Sequence, residues 1–321
     1  MLFWILCLAV PLVVKAEFIL TIFIFGFILG VLAISFNVIF GYAGQLSMFN
    51  AAAFGISAYA TFLSMERLHV SFWGGLVIAL VLVAILSVII GAICFKFQLK
   101  AFYFALVTMA FAELARLVIM NWGSLTKGTL GILVLQKPTL GFGDMAIKID
   151  STLGWYYFSL AALFLSALVC RGIVKSWIGR AFEAIRLNED LAQTLGIDIF
   201  RYKLLAFTIA NLLAGVAGAL FAFYTGYIEP SYLSTTQSLD VIAMVLIGGA
   251  GTVLGPVFGA FILTGLPHVI ELSAEIRSIA FGTILILTIL LLPRGVGGSL
   301  KMLTIPWWKR LRERRAAGRA A

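Results

Sequence analysis

The stretch "FWGGLVIALVLVAILSVIIGAICF" (residues 72–95) contains no charged residue. The hydrocarbon core of a bilayer is about 30 Å thick, and an α-helix, which rises about 1.5 Å per residue, needs roughly 20 apolar residues to cross it. The stretch is apolar all round and does not alternate from residue to residue, which argues against a strand of a transmembrane barrel. It therefore predicts a membrane-spanning helix.

The rest of the chain repeats this pattern. Hydrophobic residues make up 62% of the 321 positions and charged residues 12%, against about 45–50% and about 25% in soluble domains. Further apolar runs lie at about residues 1–14, 17–40, 46–64, 101–122, 155–171, 203–224, 239–253, 256–272 and 276–293. Some of these runs are short, so we expect eight to ten spans in an all-α polytopic bundle that forms one transmembrane domain, residues 1–321.

The first run has two interpretations. Residues 1–14 resemble the apolar core of a signal peptide, but no basic residue precedes them and "VVKAEF" is a poor cleavage site. We therefore expect a short first helix that is retained.

The distribution of Lys and Arg predicts the orientation. Alternating spans place residues 96–100, 171–203 and 294–321 on one side with 16 basic residues, and leave 6 on the other side. The richer side is expected to be cytoplasmic, with both termini inside. The tail 294–321, which contains "KRLRERRAAGR", is then a cytoplasmic anchor on anionic lipid and not an arm for nucleic acid. The loop 123–154 lies outside, either as a cap over a pathway or as a solvated linker.

No enzyme constellation is present in the sequence. Cys7, Cys94 and Cys170 lie in apolar runs without metal-ligand spacing, and His69 and His268 are isolated near span ends. We expect no metal and no cofactor. There is no GxxxxGK[ST] motif, so any ATP must be bound by another chain.

Two glycine-rich stretches interrupt the apolar runs: "NVIFGYAGQLSMFNAAAFGISAYATFL" from Asn37 and "VLIGGAGTVLGPVFGAFILTGLP" from Val245. Both pass from paired glycines through small residues to a Phe-Gly pair, so they form a weak internal repeat. Paired interruptions in two halves of a transporter indicate the substrate pathway. Close packing of small residues between helices is an equally good explanation, and both can hold.

Few polar groups lie within the spans. Glu113 and Arg116 are three residues apart on one helical face, so we expect them to neutralise each other, with a proton relay as the less favoured alternative. The other polar residues are expected either to bond neighbouring helices or to bind solute. They are Asn37, Gln45, Ser47, Asn50 and Asn211.

The stretch "GRAFEAIRLNEDLAQTLG" (residues 179–196) is the longest strongly polar segment. Between Arg180 and Leu195 its apolar residues recur at helical spacing, which predicts one amphipathic helix on the cytoplasmic surface. Gly179 is expected to precede this helix and Gly196 to end it. A helix that lies on lipid would carry mostly Lys and Arg on its polar face, whereas this one carries three acidic and two basic residues, which favours a protein partner. The predicted apolar face consists of Phe182, Ile185, Leu191, Ala192 and Leu195.

Several stretches together resemble the M-type permease subunit of branched-chain amino-acid ABC importers. They are "GYAGQLSMFNAAAFGISAYA", "GRAFEAIRLNEDLAQTLGI", "KLLAFTIANLLAGVAGALFA", "GGAGTVLGPVFGAFIL" and "LLPRGVGG". The resemblance covers most of the chain from about Asn37 to Gly298, and the combination is far more specific than any single glycine motif.

The resemblance implies roles for particular residues. Residues 179–196 would dock on the ATPase subunit, with Glu183 and Ala184 in the "EAA" signature of importers and Ile185 departing from it. The external "TKGTLG" also departs from the family's usual "TGG", so related permeases for urea and short amides remain an alternative. The implied coupling residues are Gly179, Arg180, Glu183, Ala184, Arg186 and Gly196. The implied pathway residues are Asn37, Gly41, Gly44, Gln45, Gly248, Gly249, Gly251 and Gly255.

The same resemblance implies a set of partners. These are a sister permease subunit, two cytoplasmic ABC ATPases and an external, periplasmic substrate-binding protein, assembled in the bacterial inner membrane. An ion-coupled carrier is a second hypothesis, but it would need more buried carboxylates than Glu113 supplies. An intramembrane enzyme is the weakest hypothesis because no catalytic constellation lies in the spans.

Overall fold

The computed structural model describes residues 2–13, 16–99, 101–135, 138–140, 147–149, 151–269 and 282. The helices are α1 (Leu2–Val13), α2 (Glu17–Asn37), α3 (Phe49–Leu68), α4 (Phe72–Lys96), α5 (Ala101–Asn121), α6 (Gly123–Thr126), α7 (Thr152–Lys175), α8 (Trp177–Leu187), α9 (Glu189–Thr194), α10 (Ile199–Thr225), α11 (Thr235–Gly248) and α12 (Gly255–Val269). A π-helical segment (Val38–Tyr42) extends α2, and two 3₁₀ turns cover Gly128–Leu130 and Pro230–Leu233. The strands are β1 (Ile132–Leu133), β2 (Thr139–Leu140), β3 (Ile147–Lys148) and β4 (Tyr227–Ile228).

Five helices within the described ranges are long and apolar enough to cross a membrane: α2 with its π-helical extension, α4, α5, α7 and α10. Nine of the ten apolar runs expected from the sequence correspond to described helices. The prediction of an all-α polytopic membrane protein is therefore confirmed. Apart from residue 282, the run 276–293 and the basic tail 294–321 lie outside the described residues.

Short polar side chains fix where several helices begin. Ser71 caps α4 by accepting a hydrogen bond from the Gly74 amide, and Ser151 caps α7 through the Gly154 amide. Asp198 and Ser234 act in the same way at α10 and α11. Each cap supplies a partner for an amide that has none within the helix.

Helices α2 and α10 form the centre of the bundle. About two thirds of their most apolar windows are buried, 67% and 61%, against 28–33% for α4, α5 and α7, which therefore lie at the periphery. Helix α2 packs against α7, α10 and α12, while α10 also packs against α3 and α4. The Tyr156 hydroxyl on α7 donates a hydrogen bond to the Cys7 carbonyl at 2.6 Å, which attaches α1 to the bundle.

Two polar contacts within the spans match the expectations from the sequence. The Arg116 guanidinium contacts the Glu113 carboxylate at 2.9 Å, so the predicted neutralising pair is present on α5. The Asn211 amide donates to the Ser87 hydroxyl at 3.0 Å and joins α10 to α4. The three cysteines are free and buried.

The segment after α5 is ordered by two short antiparallel ladders. β1 pairs with β4, with Ile132 opposite Ile228, and β2 pairs with β3. The Tyr227 hydroxyl also donates to the Leu130 carbonyl at 2.6 Å. Part of the predicted 123–154 loop is thus bonded to the segment that follows α10.

Candidate functional site

The segment predicted to be one amphipathic helix forms two helices, α8 and α9. Asn188 interrupts them in an extended conformation (φ −163°, ψ 114°), and its side chain caps α9 by accepting from the Leu191 amide at 3.0 Å. Gly196, with φ +80°, lies in the turn after α9, so the predicted end of the segment is confirmed.

The predicted position of Gly179 is wrong, because this glycine lies within α8 and does not precede it. Ser176 caps α8 instead. A Cβ at Gly179 would lie 2.3 Å from the Val174 carbonyl oxygen, so the glycine lets α8 fold closely against the end of α7.

The predicted apolar face is only partly buried. Phe182, Ile185 and Ala192 are buried, but Leu191 and Leu195 are 61% and 73% exposed. The break at Asn188 interrupts the helical repeat, so residues spaced for one continuous helix do not share one face.

Among the exposed residues of α8, α9 and the turn after α9, we call six together the outward face: Trp177, Arg180, Glu183, Leu187, Leu191 and Leu195. The Arg180 guanidinium lies 5.0 Å from the centroid of the Trp177 ring, a distance at which a cation and an aromatic face attract each other. Ala184 is half-buried beside this face. Large apolar side chains interspersed with charges are typical of a surface that binds another protein.

Arg186 points from α8 toward both glycine-rich breaks. Its guanidinium donates a short hydrogen bond to the Gly41 carbonyl. A Cβ at Gly44 would lie 2.9 Å from the Arg186 Cγ, and a Cβ at Gly251 would lie 3.1 Å from its Nη1. The side chain therefore occupies space that only glycine leaves open at these positions.

Asn37 joins the two breaks directly. Its amide donates to the Thr252 carbonyl at 2.8 Å and its carbonyl oxygen accepts from the Gly251 amide at 2.9 Å. Asn37 itself is fully buried, whereas Gly251 and Thr252 are half-buried. We call the cluster Asn37, Gly41, Gly44, Arg186, Gly251 and Thr252 the glycine joint.

The remaining predicted pathway glycines pack backbone against backbone. A Cβ at Gly248 would lie 2.0 Å from the Gly255 carbonyl oxygen, and one at Gly255 would lie 2.5 Å from that of Gly248. Gly249 and Gly251 have positive φ values of 104° and 78°, which glycine adopts readily. Close packing therefore accounts for these residues, and a role as pathway lining stays a prediction.

A second connection runs from α9 to the first break. The Glu189 carboxylate accepts from the Gln45 amide at 3.2 Å and from the Lys203 ammonium at 2.6 Å. Lys203 is only 5% exposed, so its buried ammonium would be left without a compensating charge if Glu189 moved away. Sequence reasoning missed this pair because its members are 14 residues apart and follow no local spacing rule.

A row of buried polar side chains on α3 was also only partly foreseen. Asn50 was singled out, but Ser57 and Thr61 were not, although their separation of four residues places them on one helical face. Each has a side-chain oxygen without a hydrogen-bond partner among the described residues. A Cβ at Gly215 of α10 would lie 3.3 Å from the Ser57 Cβ, which places this row where α3 and α10 pack together.

A cleft of about 620 Å³ opens beside the glycine joint. It is lined by α7, α8, the segment after α11 and the start of α12, with Trp4 of α1 at its edge. Glu183 and Arg186 both line it.

Comparison with known proteins adds to this geometry. The family described as "Branched-chain amino acid transport system / permease component" matches residues 18–292. The high-affinity branched-chain amino acid transport system permease protein LivM of Escherichia coli K12 is 29% identical over 286 residues, which cover 83% of this chain and 67% of the relative. LivM of Salmonella typhimurium LT2 is 28% identical over the same shares.

LivH of Salmonella typhimurium LT2, a second permease protein of that transport system, is 24% identical over 83% of this chain and 90% of its own length. No solved structure matches the chain significantly. The family match spans both glycine-rich breaks, α8, α9 and the five long apolar helices. The chain is thus a multi-pass membrane protein that belongs to the family of permease components of branched-chain amino acid transport systems.

Proposed function

We propose that this chain is the permease subunit of an ABC importer that carries leucine, isoleucine and valine into the cell. It would lie in the bacterial inner membrane with both termini in the cytoplasm. A sister permease, two cytoplasmic ATPases and a periplasmic substrate-binding protein would complete the importer.

The substrate proposal is supported by the names of the relatives. LivM and LivH are both described as high-affinity branched-chain amino acid permease proteins, and each aligns with 83% of this chain. This favours branched-chain amino acids over urea or short amides, and an ABC importer over an ion-coupled carrier.

The observation that carries the proposed mechanism is the double attachment of α8 and α9 to the interrupted spans. Arg186 bonds α8 to the carbonyl of Gly41, and Glu189 bonds α9 to Gln45. Asn37 continues the connection to the second break at Gly251. A displacement of α8 and α9 would therefore reach both glycine-rich breaks through direct hydrogen bonds.

This arrangement suits coupling to a nucleotide cycle. An ATPase can shift a permease between two conformations only if its nucleotide states bind those conformations with different free energies. We propose that the outward face is the surface that the ATPase contacts, with Glu183 as its exposed acidic group. The glycine joint would transmit the resulting displacement, since backbones packed without side chains between them can take discrete alternative arrangements.

The coupling proposal can be tested by reversing the charge of Glu183. We expect Glu183→Lys to leave folding and membrane insertion intact while reducing both transport and substrate-stimulated ATP hydrolysis in vesicles that contain all subunits. Glu66→Lys is a matched control, because Glu66 is also an exposed helical carboxylate but lies near the end of α3. Normal transport by Glu183→Lys would show that the docking role is wrong.

The substrate is tested separately with the unmodified importer. We expect uptake of labelled leucine, isoleucine and valine, and no competition by a large excess of urea or acetamide. Competition by urea would contradict the substrate proposal and leave the coupling proposal untouched.

A further inference from the structure

The cleft beside the glycine joint has two chemically different halves. Its volume of about 620 Å³ lies within the range of about 300–1,000 Å³ that is usual for small-molecule sites. One half is lined by charged side chains at the end of α7 and on α8, and the other by apolar and aromatic side chains. A ligand that fills both halves must itself be amphipathic.

The charged half carries an excess of positive charge. Arg171, Lys175 and Arg186 line it together with a single carboxylate, that of Glu183. Arg186 already donates to the Gly41 carbonyl, whereas Arg171 and Lys175 have no hydrogen bond or ion pair to any other described residue. Within the part of the chain that the structure describes, these two cations are therefore available to an anionic group.

The apolar half continues along the same face of α7. Phe164 and Leu168 line the cleft and are 40% and 48% exposed. They precede Lys175 by about two to three helical turns, and the rise from Phe164 to Lys175 is about 16 Å. Trp4 and Phe258 line the cleft from α1 and α12. The charged half thus lies at the end of a membrane span and the apolar half within its length.

We propose that this cleft binds one anionic phospholipid, with its phosphate between Arg171 and Lys175 and an acyl chain along Phe164 and Leu168. Basic pockets at the cytoplasmic ends of transmembrane helices bind anionic headgroups through charge complementarity. An exposed apolar strip on a membrane-spanning helix faces acyl chains. A phospholipid therefore fits both the charged and the apolar half of the cleft, whereas a free phosphate fits only the charged half. The inference depends on the membrane placement of α7 and not on the transported substrate or the ATPase.

The test measures lipid binding by the purified full chain in a neutral detergent, using native mass spectrometry. The probes are dioleoyl-phosphatidylglycerol, dioleoyl-phosphatidylcholine and inorganic phosphate. The variant is Arg171→Gln with Lys175→Gln. The matched control is Lys96→Gln with Arg201→Gln, which removes one Lys and one Arg at other helix ends, outside the cleft.

We expect the cleft variant to bind phosphatidylglycerol about 25-fold more weakly, because each basic residue near an anionic headgroup contributes about 5-fold. Lys175→Gln alone is expected to lose about 5-fold, so that the result does not depend on the double variant. The control variant should stay within about 2-fold of the unmodified chain, and phosphatidylcholine should bind the unmodified chain more weakly than phosphatidylglycerol does.

Three results would overturn the proposal. One is equal binding of phosphatidylglycerol by the cleft variant and the unmodified chain. Another is an equal loss in the control variant, which would show that general surface charge is responsible. The third is displacement of the lipid by inorganic phosphate at comparable concentration, which would assign the cleft to a free anion.

Discussion

Asn37 joins two interrupted helices with a single side chain. Its amide group supplies one donor and one acceptor, and both are used on the backbone of the second break, at Thr252 and Gly251. Backbone groups that leave a helix within a membrane need partners from the protein because lipid offers none. The fully buried Asn37 supplies two of them.

Replacement of Asn37 by leucine should therefore destabilise the bundle. The leucine side chain has a similar volume, but it would leave the Gly251 amide and the Thr252 carbonyl without these partners, at a cost of about 2 kcal/mol in unfolding free energy. Thermal unfolding of the purified chain in detergent measures the change. Asn121→Leu is the control, since Asn121 is exposed and, among the described residues, its side chain bonds only to Leu117 of its own helix. Equal melting temperatures for the two variants would contradict this role of Asn37.

A variant at Arg186 tests whether a displacement of α8 is transmitted to the glycine joint. We expect Arg186→Gln in the assembled importer to keep basal ATP hydrolysis but to lose about 10-fold in transport, because the contact between α8 and the Gly41 carbonyl is removed. Arg201→Gln removes the same charge from a side chain that is 83% exposed and paired with Asp198, so its transport should be unchanged. A parallel loss in both variants would point to surface charge and not to the glycine joint.

The roles of these residues were only partly readable from the sequence. The glycine-rich stretches identified Asn37, Gly41 and Gly251 as a group, because glycine clusters within apolar runs are a local signal. Arg186 and Gly41 are in contact although they are 145 residues apart in sequence. The spacing of residues along the chain cannot predict a contact between segments so far apart. The Glu189 to Lys203 pair was missed for the same reason.

The second glycine-rich break allows α11 and α12 to pack against each other. After Gly248 the chain leaves the helix and re-enters it at Gly255, so the two helices fold against each other. Gly259 lies where they approach most closely, since a Cβ there would lie 1.9 Å from the Met244 carbonyl oxygen. The contact is therefore between one helix backbone and the other.

We expect Gly259→Ala to separate α11 from α12 and to lower the unfolding free energy by about 2 to 3 kcal/mol, because the opposing group is rigid backbone. Gly172→Ala is the matched control, since Gly172 also lies within a helix but a methyl group added there would meet no atom of a described neighbour within 4 Å. That substitution should be neutral or stabilise α7 by up to about 1 kcal/mol. Chemical unfolding followed by circular dichroism compares them, and equal stability of both variants would contradict the close approach.

The existence of elements was better predicted than their boundaries near α8 and α9. Hydrophobic runs fixed nine described helices, because a bilayer imposes both length and apolar composition. The amphipathic segment was predicted as one helix since Asn188 carries no stronger break signal than many helical asparagines. Its side chain prefers to cap α9, and this local bond decides the division into two helices.

For the molecule as a whole, sequence reasoning supplied the class of fold but not the arrangement of its helices. Hydropathy does not identify the central helices α2 and α10, because the peripheral α4 is the most apolar of the five long helices and yet only 28% of its most apolar window is buried. In lipid, an apolar surface has no drive to leave its surroundings, so small residues and polar bonds determine which helices pack centrally. The contact between the two glycine-rich breaks is part of this helix arrangement, so hydropathy did not predict it either.

The orientation of the bundle gives a prediction for the whole molecule. If Lys and Arg set the topology as expected, Leu195 after α9 faces the cytoplasm and Leu130 faces the opposite side. Both are well exposed, at 73% and 80%, and the three native cysteines are buried, so engineered thiols should react over a low background.

In right-side-out spheroplasts, a membrane-impermeant maleimide should label Leu130→Cys at once and Leu195→Cys only after permeabilisation. Inside-out vesicles should give the reverse order, and Ala210→Cys, which is fully buried in α10, should remain unlabelled in both. Labelling of Leu195→Cys in intact spheroplasts would place α8 and α9 outside the cell, where no cytoplasmic ATPase could reach the outward face. That result would contradict both the predicted topology and the proposed coupling mechanism.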